Sequence, residues 1–262
     1  VDEAVMIHDM ALTARYLVLV LAPAFFDLAA AFSGGSLIAW RPERGTRVAL
    51  IPRDGSAVRW ATDEAFWLWH TVNAYDTGEG SDARVVLDYV EWPHLSLGHD
   101  PHGTGGAGRA GLTRMVIDPA AGRARRVPLD DARVELPRVD DRLIGHTHRR
   151  TAMAAETGRV DLISGEFDAL RWYDLHDTTA DALFWPAGDL SVGEPVHVPP
   201  PEGGSDAAGW WMTYATDRTD GTSRLLVISD ADPEAGPVAS VHLPVRVPLG
   251  LHGSWLPTVS RL

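Results

Sequence analysis

The chain has no cysteine among its 262 residues. That excludes disulfides, zinc–thiolate sites, thiol nucleophiles and thiolate-ligated iron–sulfur clusters. Basic residues are also scarce: 23 Lys and Arg against 36 Asp and Glu leave a formal charge of −13. Such a balance argues against a nucleic-acid backbone partner, which would require a basic face, and disfavours attachment to an anionic membrane by charge alone. No apolar run reaches the length of a membrane span. The nearest stretch, YLVLVLAPAFFDLAAAF from Tyr16 to Phe32, is interrupted by Pro23 and Asp27 and reads as a buried strand followed by a loop. Long amphipathic helices are missing too, so no crossover helices are available for a parallel α/β sheet.

What the chain does have is a hydrophobic content of 45%, punctuated by 18 prolines and 25 glycines. Short runs of strand formers bounded by turn residues recur throughout. RYLVLVL, SLIAWRP and TRVALIPR come first. AFWLWHTVNAYD and ARVVLDYVEW follow, joined by TGEGSD as a hairpin. Further pairs are GLTRMVIDP with GRARRVPL, then RLIGHTHRRTAMA, DALRWYDLHD and EPVHVPP. GWWMTYATDR, SRLLVISD and PVASVHLPVRVP close the series. This pattern predicts an all-β fold: a sandwich, a barrel or propeller blades.

With cysteine absent, any metal must be held by imidazole or carboxylate, and 11 histidines are present. His8 lies in MIHDMALT, His70 in WHTVNAYD and His252 between glycines in LGLHGSWLP, beside a tryptophan that looks buried. If 66–72 form a regular strand, His70 shares a face with Phe66, Leu68 and Val72. A buried imidazole there must be hydrogen-bonded, paired or bound to metal. Glu135 in VELPRVD and Glu194 in GEPVHVP each precede a proline, and a carboxylate of this kind could orient a metal-bound imidazole; an acidic turn residue or an arginine partner is the plainer alternative. His146 and His148 would share a strand face in an exposed, polar setting beside Arg149 and Arg150. His94, His99 and His102 form a loop cluster. GTGGAG at 103–108 lacks the Lys and Ser/Thr of a phosphate loop, and no HExxH or GxSxG motif occurs.

The ordered motifs MIHDMALT, VELPRVD, GEPVHVP and LHGSWLP, with WHTVNAYD, resemble those of the carotenoid cleavage oxygenases. That family includes bacterial apocarotenoid oxygenases and lignostilbene dioxygenases, and the resemblance covers somewhat more than its C-terminal half. It implies a seven-bladed β-propeller, with 1–262 the C-terminal part of a single propeller domain and the N-terminal blades missing from this chain. It also implies ferrous iron, Fe(2+), held by His8, His70 and His252, with Glu135 and Glu194 supporting the imidazoles from behind. The family uses four histidines and three glutamates, so the fourth ligand is expected from N-terminal sequence; a chain opening on Val1 with His8 only seven residues later fits that expectation. The activity implied is a non-haem iron dioxygenase, cleaving a conjugated double bond of a carotenoid, apocarotenoid or stilbene with O2 to two carbonyl products, as in carotenoid catabolism. The alternatives are a truncated, noncatalytic homologue and a sugar- or protein-binding propeller. A cytoplasmic protein in peripheral contact with membrane, to collect an apolar substrate, and without nucleic-acid partners completes the expectation.

Overall fold

A computed structural model describes residues 3–95, 111–160, 162–163, 165–200, 209–250 and 252–256. His99, His102 and the GTGGAG segment lie outside them. The chain divides into two compact units: residues 1–133 with 144–147, and residues 134–143 with 148–262. The described residues are nearly all β, as the turn-punctuated apolar runs predict.

The first unit holds two antiparallel meanders. In the first, β1 (Met10–Leu12) pairs with β2 (Tyr16–Leu21). A side hairpin of β3 (Ala24–Phe26) and β4 (Ile38–Trp40) follows, with the helix α1 (Leu28–Phe32) at its tip. The meander then continues as β5 (Thr46–Pro52) beside β2 and β6 (Arg59–Asp63) beside β5. The second meander runs β7 (Thr71–Thr77), β8 (Arg84–Glu91), β9 (Gly111–Asp118) and β10 (Arg123–Pro128), each antiparallel to the one before. A single parallel bridge, Arg123 to Thr62, joins the two into one eight-stranded sheet.

The β7–β8 hairpin matches the reading of TGEGSD as its turn. β8 is buried along six consecutive residues, Val85 to Val90, so it reads as a continuous apolar run rather than an alternating one. Asp88 in its middle is fully buried and is answered by Arg114 on β9, with bonds of 2.7 and 2.9 Å.

In the second unit, β11 (Val134–Arg138), β12 (Arg150–Ala155), β13 (Ala169–Asp174) and β14 (Leu183–Pro186) form a third meander. Its core is built by size complementarity: Ala152 and Ala154 on β12 stand opposite Trp172 and Leu170 on β13. The fourth meander uses β15 (Leu190–Val192) and β16 (Val196–Val198), both paired with β17 (Trp210–Asp217). β18 (Ser223–Ser229) and β19 (Pro237–His242) complete it.

Four local expectations are corrected. Residues 66–70 are not a regular strand; β7 starts at Thr71, so His70 precedes it. The loop expected after Pro23 contains α1, because Asp27 caps it by accepting from the Ala30 N–H at 2.9 Å. His146 and His148 lie before β12 rather than on it, and His148 is buried despite the two arginines that follow. Trp255, expected to pack inside, is 41% exposed.

Candidate metal centre

His8, His70 and Glu135 sit at or just before the first strand of a meander, and Glu194 lies in the break between the two short segments that pair with β17. His8 precedes β1, His70 precedes β7, Glu135 lies in β11, and Glu194 lies between β15 and β16.

In the first unit the structure brings His8 and His70 together. Their ring centroids are 5.4 Å apart, edge to face at 73°. Asp9 fastens the two backbones: its Oδ2 accepts from the Thr71 N–H at 2.7 Å and the Thr71 hydroxyl at 2.8 Å. Its Oδ1 accepts from the Met10 N–H at 2.7 Å. The residue after one histidine thus holds the residue after the other. The His70 carbonyl accepts from the Val90 N–H at 3.2 Å, which ties this turn to β8. Beside the imidazoles stands an aromatic wall, with Trp69 4.8 Å from the His8 ring and Trp67 5.0 Å from Trp69. Trp67 is buried and exchanges both backbone hydrogen bonds with Trp92 at 2.8 Å. With Ala22, Ala24 and Leu95 it forms an apolar cluster that Trp69 packs against.

In the second unit, His252 and Glu194 form a pair. Glu194 is buried, and its Oε1 lies 3.1 Å from His252 Nδ1. Its Oε2 accepts from the Gly253 N–H at 2.7 Å and from Arg138 Nη1 at 2.9 Å. The arginine partner expected on the plainer reading and the contact to a histidine expected on the functional one therefore coexist in one carboxylate. With Nδ1 engaged, an ion would be taken by Nε2. A cavity of ≈ 250 Å³ opens beside the pair, lined in part by Met212, Tyr214, Leu225, Val247 and Trp255.

Glu135 is also buried, and its Oε2 accepts from the Leu136 N–H at 2.7 Å. Leu136 adopts φ 53°, a left-handed conformation costly for a branched, non-glycine residue. The reason is a bulge. Glu135 faces Ala154 and Arg138 faces Ala152 across β12, so β11 carries one extra residue between them. Strict alternation would send positions 135 and 138 to opposite faces; the extra residue returns them to one. Pro137, which lacks the N–H of a ladder residue, sits inside this bulge. Arg138 escaped the motif reading for that reason, and the proline within VELPR was the available signal.

Among the described residues, no group of three or more His, Cys, Asp or Glu side chains is arranged to hold a metal ion. The donor set in each unit nevertheless fits imidazole-bound ferrous iron: a close histidine pair beside an apolar wall in one, and an imidazole engaged by a buried carboxylate in the other.

Comparison with known proteins agrees with the motifs. The family model described as retinal pigment epithelial membrane protein matches residues 1–257. A carotenoid cleavage oxygenase of Mycobacterium tuberculosis is 32% identical over 84% of this chain and 44% of its own. Isoeugenol monooxygenase of Pseudomonas nitroreducens is 27% identical over 95% and 54%. The crystal structure of Pseudomonas brassicacearum lignostilbene dioxygenase superposes with a TM-score of 0.86 at 26% identity, covering 98% of this chain and 56% of that one. The chain spans about half the length of the curated relatives it matches. On the family match and the ordered histidine and glutamate motifs, the chain belongs to the retinal pigment epithelial membrane protein family, that of the carotenoid cleavage oxygenases.

Proposed function

We propose that this chain contributes the ferrous site of a dioxygenase that splits a conjugated carbon–carbon double bond with O2, giving two carbonyl products. The observation that carries the reading is the His8–His70 pair, held through Asp9 and Thr71 against a tryptophan wall. Relatives are named for carotenoid, apocarotenoid, resveratrol and isoeugenol chemistry. These compounds share a conjugated double bond in a largely apolar frame, and a carotenoid, apocarotenoid or stilbene is the substrate class we infer.

His8, His70 and His252 would hold the iron, with Glu194 behind His252 and Glu135 as the second supporting carboxylate. Neutral imidazoles suit Fe(II) and leave the ion its positive charge, and bound iron would supply the activation of O2. The chain's own residues do the rest by placement. Asp9 and Thr71 fix the spacing of two rings, and Glu194 fixes the tautomer and direction of the third. Trp69, backed by buried Trp67 and its cluster, excludes water and offers flat apolar surface to a polyene or aryl group. No side-chain proton donor is called on, since both oxygen atoms of O2 end in the carbonyl products.

We also read the four meanders as consecutive blades of a seven-bladed propeller. Their sequential antiparallel order and the placing of a motif residue at or beside the leading strands of every meander support this reading. A crystal structure whose first strands share no common axis would refute it.

A cytoplasmic protein touching membrane peripherally is the accompanying inference. Asp27 caps α1 so that Leu28 and Phe32 lie one turn apart, 62% and 90% exposed, near exposed Phe26 and Leu37. Among the described residues no helix is long and apolar enough to cross a membrane. Co-flotation with phosphatidylcholine vesicles should weaken in Leu28→Asp/Phe32→Asp; unchanged flotation refutes the contact.

The catalytic reading is tested by anaerobic loading with Fe(II), followed by product analysis with an apocarotenoid and a stilbene. Cleavage to two carbonyl fragments with oxygen from O2 is expected. Iron-loaded protein that leaves both substrate classes intact would refute it.

A further inference from the structure

Arg138 carries no role in the iron-site reading, yet it organises the neighbourhood of His252. Its Nη1 donates to Glu194 Oε2 at 2.9 Å and to the Gly253 carbonyl at 2.6 Å. Its Nη2 donates to Asp141 Oδ1 at 2.8 Å. Glu194 accepts from the Gly253 N–H at 2.7 Å through that same Oε2, while its Oε1 meets His252 Nδ1. Gly253 is therefore held at both polar atoms of its backbone, the N–H by the glutamate and the carbonyl by the arginine. A Cβ there would lie 3.3 Å from Val196 Cγ2, so a side chain at this position would push the valine by a few tenths of an ångström.

We propose that Arg138 is a positioning residue for His252: it locks the Glu194 carboxylate and the Gly253 backbone together, so that Glu194 engages Nδ1 and the imidazole offers Nε2 to iron. Three features set this apart from an ordinary surface ion pair. The two side chains are largely buried, 18% and 6% exposed. The guanidinium spends one nitrogen on two acceptors belonging to the histidine-bearing network, and the other on Asp141. The β11 bulge, with Leu136 at φ 53°, is what puts Arg138 on this face at all. Strain retained at such a position is the pattern of a constrained functional residue.

A lysine could replace the charge but not the planar fork that reaches Glu194, Gly253 and Asp141 together. Loss of a residue supporting a metal ligand typically lowers metal affinity about 10- to 100-fold.

The proposal rests on the iron-site reading, and the test separates the two. Wild type, Arg138→Met and Arg138→Lys are titrated anaerobically with Fe(II), and the metal-free proteins are compared by ¹⁵N NMR of the His252 ring. The expected result is an affinity loss of about 10- to 100-fold in Arg138→Met, partial recovery in Arg138→Lys, and a His252 Nδ1 signal displaced from its wild-type position in Arg138→Met. Equal affinity and an unmoved His252 ring signal in both variants overturn the proposal. If Arg138→Met does not fold, Arg138→Lys decides on the same two readouts. If wild type binds no iron while the His252 signal still moves, the iron reading fails and the positioning role stands.

Discussion

Replacing Glu194 by alanine removes one carboxylate and leaves three donors behind: Arg138 Nη1, the Gly253 N–H and His252 Nδ1. A fully stranded buried charge would cost about 3–5 kcal/mol. Arg138, however, keeps Asp141 and the Gly253 carbonyl, and His252 is 54% exposed on its side chain and can turn to water. The Gly253 N–H and one arginine bond then dominate, for a loss of about 2–3 kcal/mol. For a chain of this size that corresponds to a fall in Tm of about 4–12 °C. Glu194→Gln keeps the volume and one acceptor oxygen, so it should cost only about 1 kcal/mol. It turns an amide NH2 toward a donor, though, and should weaken Fe(II) binding about as much as alanine does, on the order of 10-fold or more. The assay pairs urea unfolding of the metal-free proteins with anaerobic Fe(II) titration. An alanine variant within about 0.5 kcal/mol of wild type, binding iron with unchanged affinity, would refute the reasoning.

Two further outcomes follow from the same geometry. Asp9→Ala deletes the bonds that fasten Thr71 to the strand after His8, and should cost about 1–2 kcal/mol while lowering Fe(II) affinity; unchanged affinity in a folded variant counts against the staple. His197 is buried against Trp211, 4.8 Å between rings, with Nδ1 3.5 Å from Asp140. Burial pushes its imidazole below the ordinary value, and Asp140 and Asp230 only partly oppose this. The unfolded chain then takes up a proton near pH 6.5 that the folded chain resists, so this contribution to stability is intact above about pH 6.5 and declines as pH falls below it. His197→Phe should shrink the stability lost between pH 7 and pH 5, measured by urea unfolding; parallel losses in the two proteins would contradict it.

Much of the fold was legible because strands here are short and sharply punctuated. TGEGSD announced the β7–β8 hairpin, and the missing amphipathic helices argued against a parallel α/β sheet. What the period of two could not show was where strands stop being regular. His70 looked like a strand residue because 66–72 alternates, yet within 66–70 only Trp67 forms a β-bridge, and β7 begins after the histidine. VELPR reads as five ordinary strand positions until the bulge at Leu136 turns Arg138 to the side of Glu135. Two neighbouring arginines make His148 read as exposed in sequence, whereas the turn before β12 folds it inward. Trp255 erred in the opposite direction: a large apolar residue beside a glycine-flanked histidine suggested packing, but it borders an open cavity. The histidine and glutamate motifs were legible through family resemblance; the Asp9–Thr71 and Arg138–Gly253 bonds that hold them required coordinates.

The central claim is that imidazoles of this chain hold ferrous iron. Iron K-edge X-ray absorption on the Fe(II)-loaded protein tests it most directly, comparing wild type with His8→Ala, His70→Ala and His252→Ala. The account predicts an imidazole scattering pattern in wild type that loses one ring in each variant. Iron bound without imidazole scattering, or with the same pattern in all four proteins, would contradict it.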